Sequence, residues 1–100
     1  SEFVEDKMLH LNVAGLNYTL LVPYKQDERL DWVMKEAERM YFQDRQEPLE
    51  AVGLKYEGPN DLAGRGQDLD LNKKLRYYKR QFGAGSHLLV QTARGSVGST

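Results

Sequence analysis

The sequence predicts an α+β domain: a mixed sheet packed on one main helix, with a second short helix before the last strand. Three observations carry this. Short segments alternate apolar and polar residues, the period of half-buried strands. One longer segment repeats its apolar residues at the helical period. Glycine, proline and asparagine separate these segments. The chain has 100 residues, of which 40% are hydrophobic and 29% charged, and it has no cysteine. That length suits one domain with one modest core. No apolar run approaches the ~20 residues of a membrane-spanning helix. Without cysteine there is no disulfide framework, thiolate metal site or cysteine nucleophile. The expected boundaries are an extension or cloning scar at 1–6, the folded domain at 7–93 and a flexible tail or linker at 94–100.

Lys7 to Val22 reads as a hairpin. Leu9, Leu11 and Val13 alternate with His10 and Asn12; Tyr18, Leu20 and Val22 alternate with Thr19 and Leu21. Ala14-Gly15-Leu16-Asn17 supplies the turn, with Gly15 free to take a positive φ. Pro23 ends the second strand because it has no N–H to donate. Asp27 to Gln43 reads as the main helix, with Asp27 as N-cap. Leu30, Val33, Met34, Ala37, Met40 and Tyr41 form its apolar stripe. After Pro48 a third strand follows. Its residues Val52, Leu54 and Tyr56 face one way, and Gly53, Lys55 and Glu57 the other. Glu57 to Asp68 is a long loop, with a short extra strand expected near Asp68-Leu69. Asp70 to Phe82 reads as a second helix, capped by Asp70 and closed by Gly83, with Leu71, Leu75, Tyr78 and Phe82 on one face. Gly83 to Ser86 is a turn. His87 to Ala93 is the last strand, with Leu88, Val90 and Thr92 on one side. A hairpin, a crossing helix and a last strand returning beside the first make the β-grasp layout.

Val52-Gly53-Leu54-Lys55-Tyr56, a loop, and then Leu69-Asp70-Leu71-Asn72-Lys73-Lys74-Leu75 resemble ubiquitin-like domains, in particular the first lobe of FERM domains. Leu75-Arg76-Tyr77-Tyr78 and the glycine turn after it are similar to talin-like and kindlin-like N-terminal lobes. The resemblance spans Lys7 to Ala93 and is sharpest over Val52 to Val90. It departs from the family where Asp68 stands in place of the tryptophan that often precedes Leu-Asp, and where a Gly-Ser tail replaces the aromatic-proline exit. It implies a non-enzymatic protein-interaction module of an intracellular scaffold or adaptor, cytoplasmic and associated with cytoskeletal, centriolar or adhesion structures.

No catalytic constellation is expected. The histidines are His10 and His87 alone, both read as outward strand residues. Ser86 and His87 are adjacent on a strand and point to opposite faces. Gly64-Arg65-Gly66 reads as a plain turn, and no metal or cofactor is expected. The chain also lacks the terminal Gly-Gly of conjugated modifiers.

Charge is uneven: residues 1–50 carry six basic and eleven acidic side chains, residues 51–100 eight and four. Two surfaces are candidate contacts. Trp32, with Glu36 and Arg39 beside it, lies opposite the apolar stripe, and tryptophan is enriched at binding hot spots. Lys73, Arg76, Tyr77 and Arg80 form a basic, aromatic face opposite the second stripe, suited to another protein or to anionic lipid. Nucleic acid ranks last as a partner. A small-GTPase partner would dock on an added strand, usually through basic residues on the first two strands, and Leu16 to Val22 has none. Leu89 is the apolar member of an otherwise incomplete sheet patch, since Lys55 and Gln91 point the same way. The isolated domain is expected to be monomeric, with sheet-edge self-association left open.

Overall fold

The computed structural model describes residues 8–82 and 86–93. The expected strand start at Lys7, the terminal segments 1–6 and 94–100, and the Gly83–Gly85 part of the second turn lie outside them. Four strands form one sheet in the order β2-β1-β4-β3, with β1 at Met8–Val13, β2 at Thr19–Pro23, β3 at Ala51–Gly58 and β4 at His87–Thr92. β1 pairs antiparallel with β2 and parallel with β4, and β4 pairs antiparallel with β3. The helix α1, Leu30–Arg45, covers one face. This is the α+β β-grasp arrangement that the element order predicts.

The alternation places the core. Leu9, Leu11 and Val13 of β1, Leu20 and Val22 of β2, Leu54 and Tyr56 of β3, and Leu88 and Val90 of β4 are buried beneath Leu30, Val33, Ala37 and Tyr41 of α1. Gly15 has φ +82 and turns the hairpin, as a residue without Cβ can. Gly58, at φ +105, turns the chain out of β3.

Backbone hydrogen bonds identify the open side of the sheet. His10 N–H donates to Ser86 C=O at 2.9 Å, and Ala14 N–H to Val90 C=O at 2.9 Å. The even-numbered residues of β1 therefore aim their backbone at β4. Val13 N–H donates to Tyr18 C=O at 3.0 Å, so the odd-numbered residues aim at β2. Leu9↔Val22 and Leu11↔Leu20 are then the hydrogen-bonded pairs, while His10↔Leu21 and Asn12↔Thr19 are not. The backbone groups of Thr19, Leu21 and Pro23 point away from the sheet. Pro23 closes the strand where its missing N–H costs no ladder bond. The opposite edge is covered. Gln67 C=O accepts from Tyr56 N–H at 2.9 Å, and Leu69 N–H donates to Leu54 C=O at 2.9 Å, which makes the short pairing expected near Asp68-Leu69.

Three local expectations are corrected. Val52 shares the parity of Leu54 and Tyr56, yet it is 56% exposed. The register shifts between Ala51 and Gly53, and this bulge turns Val52 outward. Asp27 does not cap α1; Arg29 occupies the N-cap position without a side-chain bond. The first helical N–H groups are instead taken by backbone: Leu30 N–H donates to Lys73 C=O at 2.9 Å and Asp31 N–H to Leu71 C=O at 3.0 Å. That pairing also explains the third correction. Asp70 to Lys73 forms a turn beside the start of α1 and Lys74 pairs with Arg29, so the expected Asp70–Phe82 helix shortens to one 3₁₀ helix, Leu75–Tyr78. Asp70 Oδ1 accepts from Asn72 N–H at 3.0 Å, a local Asx turn that competes with helix. Its apolar residues still enter the core: Leu75, Tyr78 and Phe82 are buried and Leu71 packs against them.

Candidate functional site

With α1 on one face, the sheet presents its other face to solvent. Strand alternation puts Thr19 and Leu21, His10 and Asn12, His87, Leu89 and Gln91, and Lys55 and Glu57 there. Leu21 is 46% exposed. The imidazoles of His10 and His87 are direct partners on the parallel strands and stack at 4.7 Å between centroids, 21° apart in plane. His10 Nδ1 is buried without a hydrogen-bond partner. Ser86, buried on the other side, gives its hydroxyl to Gln81 C=O at 2.9 Å, so no serine–histidine pair forms.

Beside His87 lies a depression of about 410 Å³ lined by Asn12, Glu57, Gly58, Pro59, Leu62, Arg65, His87 and Leu89. Its outer wall comes from the long loop. A short 3₁₀ helix, Leu62–Gly64, holds Leu62 out at 70% exposure. The loop is anchored from below. Tyr56 hydroxyl donates to Gln81 C=O and accepts from Asp61 N–H, both at 3.0 Å. Asn60 side-chain amide also donates to Gln81 C=O, at 2.9 Å. The amides of Gly64, Arg65 and Gly66 bond to carbonyls of Asp61, Leu62 and Tyr56, so Gly64-Arg65-Gly66 is a turn with its donors in use. Lys55 Nζ reaches Asp68 at 2.8 Å.

The residues singled out from the sequence sit elsewhere. Trp32 is half-buried and packs against the core. Lys25 Nζ lies 5.7 Å from its ring centroid. Beside it, Arg39 donates to Glu36 at 2.6 Å. This bond holds the Glu36 carboxyl below its usual range and raises the guanidinium in turn. Lys73, Arg76, Tyr77 and Arg80 do not share a helix face, since Lys73 closes the turn before the 3₁₀ helix and Arg80 follows it. Lys73 Nζ sits 4.8 Å over the Tyr77 ring, and Tyr77 is 63% exposed. Arg76 pairs with Asp27 at 3.1 Å. The pairing of residues 26–30 with 73–76 stitches the two segments together: Leu75 N–H donates to Glu28 C=O at 2.8 Å and Arg76 N–H to Gln26 C=O at 3.2 Å.

Sequence reasoning missed Leu21, Leu62 and Arg65 as surface members. Parity alone identifies Leu21; Leu62 and Arg65 depend on how the loop folds back. Among the described residues, no group of three or more His, Cys, Asp or Glu side chains is placed to hold a metal. No helix among them is long and apolar enough to cross a membrane.

No protein-family model matches the sequence, and no curated protein matches it. Solved structures do. A designed protein based on ubiquitin is 18% identical with a TM-score of 0.58, covering 88% of this chain and 89% of that one. The ubiquitin-like domain of an Arabidopsis thaliana protein is 14% identical with a TM-score of 0.58, over 89% and 79%. The UBL domain of Plasmodium falciparum Dsk2 is 17% identical with a TM-score of 0.53, over 86% and 99%. At these identities the likeness is one of fold, and the fold is ubiquitin-like. None of these three is a FERM lobe.

Proposed function

We propose that this ubiquitin-like β-grasp chain is a non-enzymatic protein-recognition module of an intracellular, cytoskeleton-linked scaffold or adaptor, and that it docks its partner on the open sheet face. One observation carries the choice of surface: Leu62 and Leu89 line a depression on the face that α1 leaves uncovered, and Leu21 is exposed on that same face. Apolar side chains around a depression are what recognition of another protein uses. The scaffold context rests on the FERM-like residues between Val52 and Val90.

A second reading, binding to anionic membrane through Lys73, Arg76, Tyr77 and Arg80, is favoured by the exposed Tyr77 and the cation over its ring. The Arg76–Asp27 pair works against it by neutralising one of the cations. The GTPase reading has only the open β2 edge in its support.

The test is a ¹⁵N–¹H titration of the chain with candidate partner proteins, and with anionic vesicles, at two salt concentrations. Shifts at Leu21, Leu62, His87 and Leu89 that persist at high salt are expected. Leu62→Glu, at an exposed position, should keep the spectrum folded and weaken binding about tenfold or more, the equivalent of ~1.4 kcal/mol. Shifts confined to Lys73–Arg80 that vanish with salt would overturn this reading in favour of the membrane.

A further inference from the structure

The sheet protects one of its edges and leaves the other open. β3 is covered by the Gly66–Leu69 segment. β2 ends the sheet on the other side, and the N–H and C=O of Thr19 and Leu21 and the C=O of Pro23 point outward from it. No described residue bonds to these groups. Such rows are templates for another strand, and proteins normally guard them with charge or bulges. Here Tyr18 to Tyr24 has no charged side chain, and the pairing with β1 runs without a register shift. Proline is the single guard, and it stands at the strand's end.

We propose that β2 pairs antiparallel with β2 of a second copy of this chain, about a two-fold axis at Leu21. Three features argue for a second copy as the occupant. The first is the hydrogen-bond pattern, which is self-complementary. With Leu21 opposite Leu21 of the second copy, each Leu21 N–H meets the other's C=O. Each Thr19 N–H then meets the C=O of Pro23 in the second copy. The bond that Pro23 cannot donate is the one lost in this register, and it falls at the outer ends of the pairing. The second is charge: a self-pair places identical residues near one another, and the neutral Tyr18–Tyr24 stretch brings no like charges together. The third is the side chain at the axis. Leu21 is 46% exposed as a single chain and would be covered by its copy, joining two four-stranded sheets into one with their open faces continuous. A closed two-fold contact of this kind stops at the dimer. One short strand pair is marginal by itself, so the dimer is weak and forms with rising concentration.

The experiment is sedimentation equilibrium of the whole chain from micromolar to millimolar concentration, with amide spectra over the same range. A mass rising toward that of the dimer is expected, with concentration-dependent shifts and slowed exchange at the Thr19 and Leu21 amides. Leu21→Lys sets two like charges at the axis and should weaken association about tenfold or more, with the other amides unchanged. Leu89→Lys lies on the same face but two strands from the edge, and should leave the dimer intact. Loss of partner binding without loss of dimer in that variant separates this inference from the docking surface above. A chain that stays monomeric throughout overturns the proposal. So does association that survives Leu21→Lys, or concentration-dependent shifts located away from β2.

Discussion

Tyr18 ties the end of the hairpin to the end of the helix. Its hydroxyl donates to Asp44 Oδ2 at 2.6 Å, Arg45 lies 4.6 Å over its ring and Tyr41 meets it edge-on at 5.0 Å. The bond to Asp44 raises the phenol above its ordinary 10.0, with burial and the carboxylate charge adding to it. The folded chain therefore holds this proton more tightly than the unfolded one. The stabilisation is complete below pH 10 and is lost as pH rises through the folded value. Tyr18→Phe should be less stable at neutral pH and should lose less stability between neutrality and the alkaline limb, as read by urea midpoints across pH. Tyr24, raised by burial, leaves a residual slope in both proteins. At this scale the sequence reveals parity and period well: Leu9, Leu54, Val90 and their neighbours are buried as alternation requires. It does not reveal Val52, because a bulge shifts register without changing composition. Nor does helical angle alone predict that Trp32 is half-covered, since Lys25 comes from the preceding loop.

The start of α1 has no side-chain cap, and the carbonyls of Leu71 and Lys73 take its first N–H groups. This arrangement orders two substitutions. Asp27→Ala should cost less than about 0.5 kcal/mol, because it removes only an exposed ion pair with Arg76. A true N-cap there would cost about 1 kcal/mol. Leu75→Ala should cost about 2–5 kcal/mol, since Leu75 is fully buried and fixes the segment that supplies those carbonyls. Denaturant midpoints for the two variants check the order. The sequence places the main helix to within a few residues at either end, because six apolar residues share one stripe. It overextends the second helix, since Leu71, Leu75, Tyr78 and Phe82 fit a helical period while the backbone of Leu71 and Leu75 is committed to the segment that begins α1. Periodicity records which side chains are buried and leaves open where the peptide groups bond.

Element order alone led to the topology of the whole molecule. A hairpin, a helix and a returning strand have few right-handed, unknotted arrangements. The candidate surface was less legible. Its depression needs β1, β3, β4 and the long loop at once, and only the fold brings Asn12, Leu62 and His87 together. β4 is central, bonded on both sides, and its Leu88 and Val90 are fully buried. Removing residues 87–93 should therefore abolish cooperative folding instead of leaving a stable hairpin and helix. A collapsed amide spectrum and loss of a thermal transition would show this. A dispersed spectrum for residues 8–82 would refute it.

The parallel pairing of β1 and β4 has a mechanical meaning. The chain enters the first of these neighbours at one end of the sheet and leaves the second at the other. Tension applied at Met8 and Ala93 would slide the two central strands past each other along their length. Their shared hydrogen bonds would then carry the load together, in shear, instead of peeling apart one by one. A module tethered through those two positions would act as a stiff link, while the same force applied across the hairpin turn and β2 would open the sheet like a zip.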